Sequence, residues 1–487
     1  MKSLKAKFII NIFGSVISIA LTLITVPLYV SQIGEARYGI LSLVWIMMGY
    51  LGLLDFGLSQ ATTNALAKLH DAHPRERGSV LMTSLWSNIA LGSLGGLIIY
   101  GAGSYILLAM HGLSDNLRGE VSGIMPWMAP ILPLAMASGV GIGALEASER
   151  FLVSNVLQII SNVLGQAAPL LVAIFWGPEL TKVIPATLAV RALTTFIILA
   201  FVLTKGNFHI RVKYDFSRAK GLLGYGIWIT VSNLIGPLMT SLDQFVVGNV
   251  IGASFVARYA VPMNAASRLQ ILNGALGRTV FPRFSRLSKE EATHLATRSA
   301  VSMSYLSAML FAPALVVVHP FFDFWMGKNF AIDAAPVASA LFIGAWFNGL
   351  AFLPAMLLLG QGKPDRLAKL HVFEVLPYLV LLWFLIHAFG LVGAAMAWSL
   401  RTSFDALALM LIGRLSLREL RRALPALAGV WVGMGLGLGF YGLPILALLT
   451  MACLLAVSIG GIGLWLAPDL RKITVQLGSK FHRIVAL

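Results

Sequence analysis

The sequence predicts an all-α integral membrane protein of about fourteen transmembrane helices, and three observations predict it. Hydrophobic residues make up 58% of the 487-residue chain and charged residues only 11%. Soluble domains carry about 45–50% and about 25%, so this chain lacks the charge to cover soluble surfaces. Apolar runs of about 20 residues, the length that crosses a bilayer as a helix, follow one another along almost the whole chain. The cations fall between those runs and alternate from side to side. A soluble enzyme, a secreted module and a DNA-binding domain are excluded on these grounds.

In order, the runs cover 8–30, 38–66, 79–108, 122–145, 152–175, 182–204, 222–250, 258–281, 299–320, 333–359, 370–389, 391–412, 425–442 and 444–467. Their length and lack of alternation select helices, because barrel strands would show about ten alternating residues each. The first run follows Lys2, Lys5 and Lys7, exceeds a signal-peptide core and lacks a small-residue cleavage site, so it reads as a span. Two pairs are divided by very little. A glycine separates 370–389 from 391–412, and a Gly-Leu-Pro turn separates 425–442 from 444–467. Cys453 is the single cysteine, which leaves no intramolecular disulfide and no cysteine metal cluster.

A net charge of +16 would suggest nucleic acid in a soluble protein. In a membrane protein it reads as the excess of Lys and Arg in cytoplasmic loops, and no nucleic-acid partner is expected. With the N-terminus inside, only Arg37, Arg118, Lys182, Arg258 and Lys328 fall outside. Arg191, Arg268, Arg278 and Arg401 lie within spans, and every other Lys and Arg falls inside. Such asymmetry sets orientation. Both termini are expected in the cytoplasm.

The chain also repeats itself. Ile33-Gly34 followed by Ala36-Arg37-Tyr38 comes just after the first run, and Ile251-Gly252 followed by Ala257-Arg258-Tyr259 just after the seventh. Lys68-Leu69 and Arg286-Leu287 occupy equivalent basic loops. These matches predict two six-helix lobes of the same orientation, 1–204 and 222–413, joined by a basic cytoplasmic linker at 205–221. Two further spans, 414–467, and a basic tail, 468–487, complete the chain. Transporters built from parallel repeats place substrate between the halves near mid-membrane.

Several enzymatic readings fail on the loops. None is long enough for a catalytic domain. Gly360-Gln361-Gly362-Lys363 lacks the spacing and hydroxyl of a phosphate loop, so ATP hydrolysis is not expected. His70 and His73 sit on a solvated basic loop and read as no metal site. Gly139, Gly141 and Gly143, and likewise Gly433, Gly435, Gly437 and Gly439, lie inside spans, where small residues let helices approach closely.

Ionisable groups inside a bilayer are costly and are functional candidates by default. Arg191, Arg268 and Arg401 lie near the middle of the sixth, eighth and twelfth runs, and Arg278 nearer an end. Arg401 has Asp405 one turn on, and an i,i+4 pair can neutralise itself. Arg191 and Arg268 have no opposite charge within four residues. Their partner is another helix, water or an anionic ligand, and the planar guanidinium grips phosphate oxygens two at a time. Asp55, Asp243 and Asp405, with Glu374, are the intramembrane acids. The three aspartates are candidates for H⁺ or Na⁺ coupling, with a fixed salt bridge as the alternative. Asn155, Gln158, Asn162 and Gln166 are spaced to share one helix face, suited either to sugar hydroxyls or to interhelical hydrogen bonds. Asn264 shares a face with Arg268.

The opening NIFGSVISIALTLITVPLYVSQIGEARYGILSLVW and the segment LGLLDFGLSQATTNALAKL resemble lipid-linked oligosaccharide flippases. These are polysaccharide-transport members of the multidrug/oligosaccharidyl-lipid/polysaccharide exporter superfamily. Later, LMTSLDQFVVGNVIGASFVARYAVPMNAASRLQ is similar to the start of that family's second lobe, and GLVGAAMAWSLRTSF to its glycine- and alanine-rich twelfth helix. The resemblance implies a V-shaped pair of lobes around a cationic cavity, alternating between inward- and outward-facing states. It implies as cargo an oligosaccharide on a polyprenyl diphosphate, moved from the cytoplasmic to the periplasmic leaflet of a bacterial inner membrane. The pathway would be surface polysaccharide or exopolysaccharide biosynthesis, with membrane lipid, a polysaccharide polymerase and export proteins as partners. A cation-coupled multidrug exporter and a flippase for the peptidoglycan lipid precursor are the alternatives. An organic-cation cargo would favour a net acidic cavity, and four intramembrane arginines against four acids do not make one.

Overall fold

The structure, a computed structural model, describes residues 19–51, 58–69, 73–205, 208, 215–216, 239, 241–270, 280, 283–284, 286–467 and 469–471. The regular elements among them are helices, with no strand. Asp55, Arg278 and most of the 205–221 linker and the 468–487 tail lie outside the described residues. Contacts divide the chain into two compact units, Met1–Ala257 and Arg258–Leu487.

The first unit contains α1 (Ile19–Ile33), α2 (Glu35–Leu51), α3 (Leu58–Lys68), α4 (Pro74–Leu108), α5 (Asp115–Met128), α6 (Ile131–Ala147), α7 (Phe151–Phe175), α8 (Leu180–Lys205) and α9 (Leu242–Val250). The division between the units falls within α10 (Ala253–Leu269). In the first unit α6 is central, packing against α3, α4, α7 and α8. Its core joins Val140, Ala144 and Leu145 of α6 to Leu66, Val80, Leu81 and Val202. Tyr29 and Tyr38 each meet Trp45 edge to face, with centroids 5.4 and 6.3 Å apart, and lie tilted against each other at 6.1 Å.

The second unit continues with α11 (Lys289–Val316), α12 (Val318–Met326), α13 (Lys328–Gly360), α14 (Pro364–Ile412), α15 (Leu417–Leu420), a 3-10 turn (Arg421–Ala423), α16 (Leu424–Gly439) and α17 (Ile445–Leu466). Here α11 is the hub, touching α13, α16 and α17. Lipid removes the usual hydrophobic drive between helices, so packing relies on close approach of small side chains. The buried face of α11 follows that rule with Ala292, Ala296, Ala300, Ser304, Ala308 and Ala312.

Among the described residues, eight helices are long and apolar enough to cross a membrane, or nine if α5 and α6, bent by 40°, form one span. The run expected as one helix over 122–145 is this bent pair. Pro130 caps α6, and proline there removes an N–H and crowds the preceding turn. The run expected over 299–320 is also broken, because α11 starts earlier at Lys289 and ends at Val316, three residues after Pro313. The two runs about Gly390 do form separate helices within α14. Gly390 takes φ +56°, ψ −134° between them, a conformation that excludes a Cβ at little cost only in glycine.

The repeated motif has the same local structure in both places. Gly34 ends α1 at φ +82° and Gly252 ends α9 at φ +132°, so each copy turns through a glycine before the next helix begins. Tyr38 and Tyr259 are both fully buried. Arg37 pairs with Glu120 at the start of α5, and Arg258 pairs with Asp333 near the start of α13.

Candidate functional site

The amide face predicted on α7 exists as a face. Gln158 and Asn162 are exposed, and Asn155 and Gln166 half-buried. Across the same helix Leu152, Val156, Ile160 and Leu164 form an exposed apolar stripe. A helix with two exposed faces of opposite character places only the apolar one against lipid, so the amides meet water or protein. The Tyr29 hydroxyl donates to the backbone carbonyl of Gln166 at 2.7 Å, which ties α1 to α7 without using any of the four amide side chains.

Helix α8 runs antiparallel beside α7, and the Ser161 hydroxyl donates to Thr194 Oγ1 at 3.2 Å, fixing their register. Arg191, one turn before Thr194, is therefore level with Gly165, one turn after Ser161. A side chain at Gly165 would meet nothing within 4 Å. Arg191 shares the packed face of α8 with Thr187, Thr194 and Thr195, all buried. The opposite face carries the exposed Leu193, Phe196 and Ile197. The threonine hydroxyls donate to the backbone carbonyls of Val183, Val190 and Leu134. Their donor capacity is thus spent, and the threonines offer no charge to balance the arginine. Arg191 Nε is buried without a hydrogen-bond partner, and among the described residues the side chain has no ion pair. A planar cation inside a membrane span, on the inward face, without an acid, is suited to an anion from outside the chain.

In the second unit Arg401, Glu374, Asp405 and His371 meet within α14. The sequence offered Arg401 both a partner in Asp405 on its own helix and a place among the candidate binding residues. Arg401 instead pairs with Glu374 across the Gly390 kink, Nη1 to Oε2 at 3.5 Å, and its guanidinium lies 5.6 Å over the Tyr378 ring. Asp405 pairs with His371, Oδ1 to Nε2 at 3.6 Å. Glu374, Arg401 and Asp405 are all at least nine-tenths buried. Arg401 is thus committed to a carboxylate where Arg191 is not. Arg268 and Asn264 lie one turn apart on α10, both exposed. Asp243 is fully buried in the first turn of α9 and accepts from the backbone N–H of Gln244 at 2.9 Å.

The family model described as polysaccharide biosynthesis protein matches residues 4–288, more than half of the chain. The chain belongs to that family. Among its relatives, a putative O-antigen transporter from Shigella flexneri is 28% identical over 403 residues, 82% of this chain and 95% of that one. Among solved structures, the lipid II flippase MurJ in an inward closed conformation covers 94% of this chain and 98% of its own, with TM-score 0.74 and 14% identity. An inward-facing multidrug resistance MATE transporter of the MOP superfamily covers 81% of this chain and 94% of its own, with TM-score 0.66 and 17% identity. The fold is therefore one shared with these two solved structures.

Two groups escape a sequence-only reading of this family member. His371, Glu374 and Tyr378 are spaced 3 and 4 apart on one helix face, a signal available in the sequence but visible only once Arg401 is known to fold back against them. The threonines around Arg191 recur at 187, 194 and 195, the spacing of one face with Arg191 between them.

Proposed function

We propose that the chain is a flippase that carries an oligosaccharide on a polyprenyl diphosphate from the cytoplasmic to the periplasmic leaflet of a bacterial inner membrane, by alternating access. The pathway is surface polysaccharide or exopolysaccharide biosynthesis, and both chain ends face the cytoplasm. The observation that carries this reading is Arg191, a half-buried cation on the inward face of α8 with an unpartnered Nε, beside the exposed amides of α7. Diphosphate oxygens would satisfy the guanidinium, and amides offer donors and acceptors to sugar hydroxyls. Arg268 and Asn264 supply a second cation and amide of the same kind. Arg401 is the least available member of the set, because Glu374 already faces it. Asp55, Asp243 and Asp405 are the groups through which H⁺ or Na⁺ would drive the cycle. The reading assigns no covalent chemistry to the chain.

The fold does not separate this function from drug export, since a multidrug transporter shares it. The polysaccharide biosynthesis family and the O-antigen transporter relative favour a saccharide cargo. The test is display of surface polysaccharide in cells whose own flippase is deleted. Arg191→Ala is expected to abolish display with the protein still inserted, and Arg191→Lys to restore part of it. Gln158→Leu/Asn162→Leu is expected to impair display more than expression. Normal display with both Arg191→Ala and Arg268→Ala would discard the diphosphate assignment.

A further inference from the structure

The short elbow between α14 and α16 carries features that transport does not use. It contains α15 and the following 3-10 turn, and Arg414, Arg418, Arg421 and Arg422 are all exposed on it. Among the described residues none of these four side chains has an ion pair. The acids nearby are already engaged, Glu419 with His294 at 3.7 Å and Asp469 with Arg298. Leu417, between Arg414 and Arg418, and Leu424, two residues after Arg422, are 56% and 57% exposed.

The elbow is also held in place. The Tyr305 hydroxyl of α11 donates to the Arg422 carbonyl at 2.6 Å. The backbone N–H of Ser416 donates to Thr297 Oγ1 at 3.3 Å, and the Ser416 side chain caps α15. Four cations and two apolar side chains are therefore presented from a fixed backbone, at the point where two spanning helices meet the edge of the bilayer. That edge is on the side where the basic loops collect. Charge alone would suit an acidic protein segment. The exposed leucines beside them favour a membrane, because arginine in the headgroup layer and leucine in the acyl boundary is the composition of interfacial segments.

We propose that this elbow is a binding surface for anionic phospholipid headgroups of the adjacent leaflet. The proposal does not depend on what cargo the chain carries. The arginines take the phosphodiester oxygens, Leu417 and Leu424 enter the acyl boundary, and the anchors to α11 keep the platform from folding away.

The full chain, extracted from membranes of mixed phosphatidylethanolamine and phosphatidylglycerol, is examined by native mass spectrometry for retained lipid. Wild type is expected to retain phosphatidylglycerol in preference to phosphatidylethanolamine. Arg418→Gln/Arg421→Gln/Arg422→Gln is expected to lower that preference by about fivefold for each arginine removed, while replacement of the same three by Lys keeps most of it. Leu417→Asn/Leu424→Asn is expected to lower retention of both lipids. Neutralising the exposed Arg75, Arg286 and Lys289 instead is the control, and it is expected to leave the preference unchanged. An equal loss in that control, or no preference in wild type, would overturn the proposal, the second outcome leaving an acidic protein partner as the reading of the surface.

Discussion

Arg37 grips Glu120 through two parallel bonds, Nε to Oε2 at 2.9 Å and Nη2 to Oε1 at 2.6 Å. The second copy of the motif repeats the relationship with Arg258 and Asp333. In each unit the arginine that opens the helix after a glycine turn reaches the acid near the start of a later span. Glu120 has an added duty, accepting from the backbone N–H of Leu180 at 2.9 Å. One carboxylate therefore ties together α2, α5 and α8.

The two pairs should not be equally sensitive. Glu120→Gln is expected to cost about 2 kcal/mol, as bonds to charged groups do. Asp333→Asn is expected to cost about 1 kcal/mol or less, because Asp333 is more than a third exposed and its pair is screened. Exchanging the partners, Arg258→Asp with Asp333→Arg, should recover most of the loss. Arg37→Glu with Glu120→Arg should recover less, because Leu180 N–H then lacks its acceptor. Thermal unfolding of the detergent-solubilised protein reads all four, and equal recovery in the two swaps would refute the added duty of Glu120.

The pair between Glu374 and Arg401 obeys different rules because it is buried. Removing one member strands the other, at about 3–5 kcal/mol. Arg401→Met alone is expected to fall in that range, and Glu374→Gln with Arg401→Met to cost clearly less. Denaturant unfolding of wild type, Arg401→Met, Glu374→Gln and the double variant decides. Additive losses would mean that the two side chains do not sense each other.

Much of this was legible in the chain before folding. Apolar length marks where the described long helices lie, and the motif around Arg37 and Arg258 marks two glycine turns of like local structure. The amide face of α7 follows from spacing alone, because Asn155, Gln158, Asn162 and Gln166 are local to one helix. What spacing could not reach was partner choice. Arg401 has an acid one turn away in sequence, yet Gly390 folds the preceding helix back and brings Glu374 to it. The breaks at Pro130 and after Pro313 were hidden for a related reason. Apolar composition continues across them, so a hydropathy reading sees one run where the backbone makes two helices.

At the start of α11, Ser288 and Glu291 form a capping box. The Ser288 hydroxyl accepts from the Glu291 N–H at 3.3 Å, and the Glu291 carboxylate accepts from the Ser288 N–H at 3.1 Å. Bonds from the Ser288 hydroxyl and backbone hold the Glu291 carboxyl below its ordinary range. A carboxyl depressed in the folded state stabilises above its unfolded pKa and loses that contribution as pH falls through its folded pKa. Amide exchange protection over the first turn of α11 is therefore expected to weaken on acidification below the ordinary carboxylate range. Glu291→Gln should show lower protection at neutral pH and a flatter acid profile. An unchanged profile would assign the acid sensitivity elsewhere.

The glycines of α16 allow the sharpest contrast. A Cβ at Gly433 would run into the Ala312 carbonyl of α11, and one at Gly437 into the Leu315 carbonyl, whereas at Gly435 and Gly439 it would meet nothing within 4 Å. Four glycines of identical sequence character thus divide by face, two against backbone and two against open space. Backbone cannot yield as a flexible side chain can, so larger residues at the first pair must push α16 away from α11. Gly433→Leu and Gly437→Leu are each expected to cost about 1–3 kcal/mol, the range for overpacking. Gly435→Leu and Gly439→Leu should be neutral or mildly stabilising, since leucine is the better helix former by up to about 1 kcal/mol. Limited proteolysis and thermal unfolding of the four variants measure this. If all four behaved alike, the close approach of α16 to α11 would have to be abandoned, together with the view that the C-terminal helix pair is fastened through its glycines.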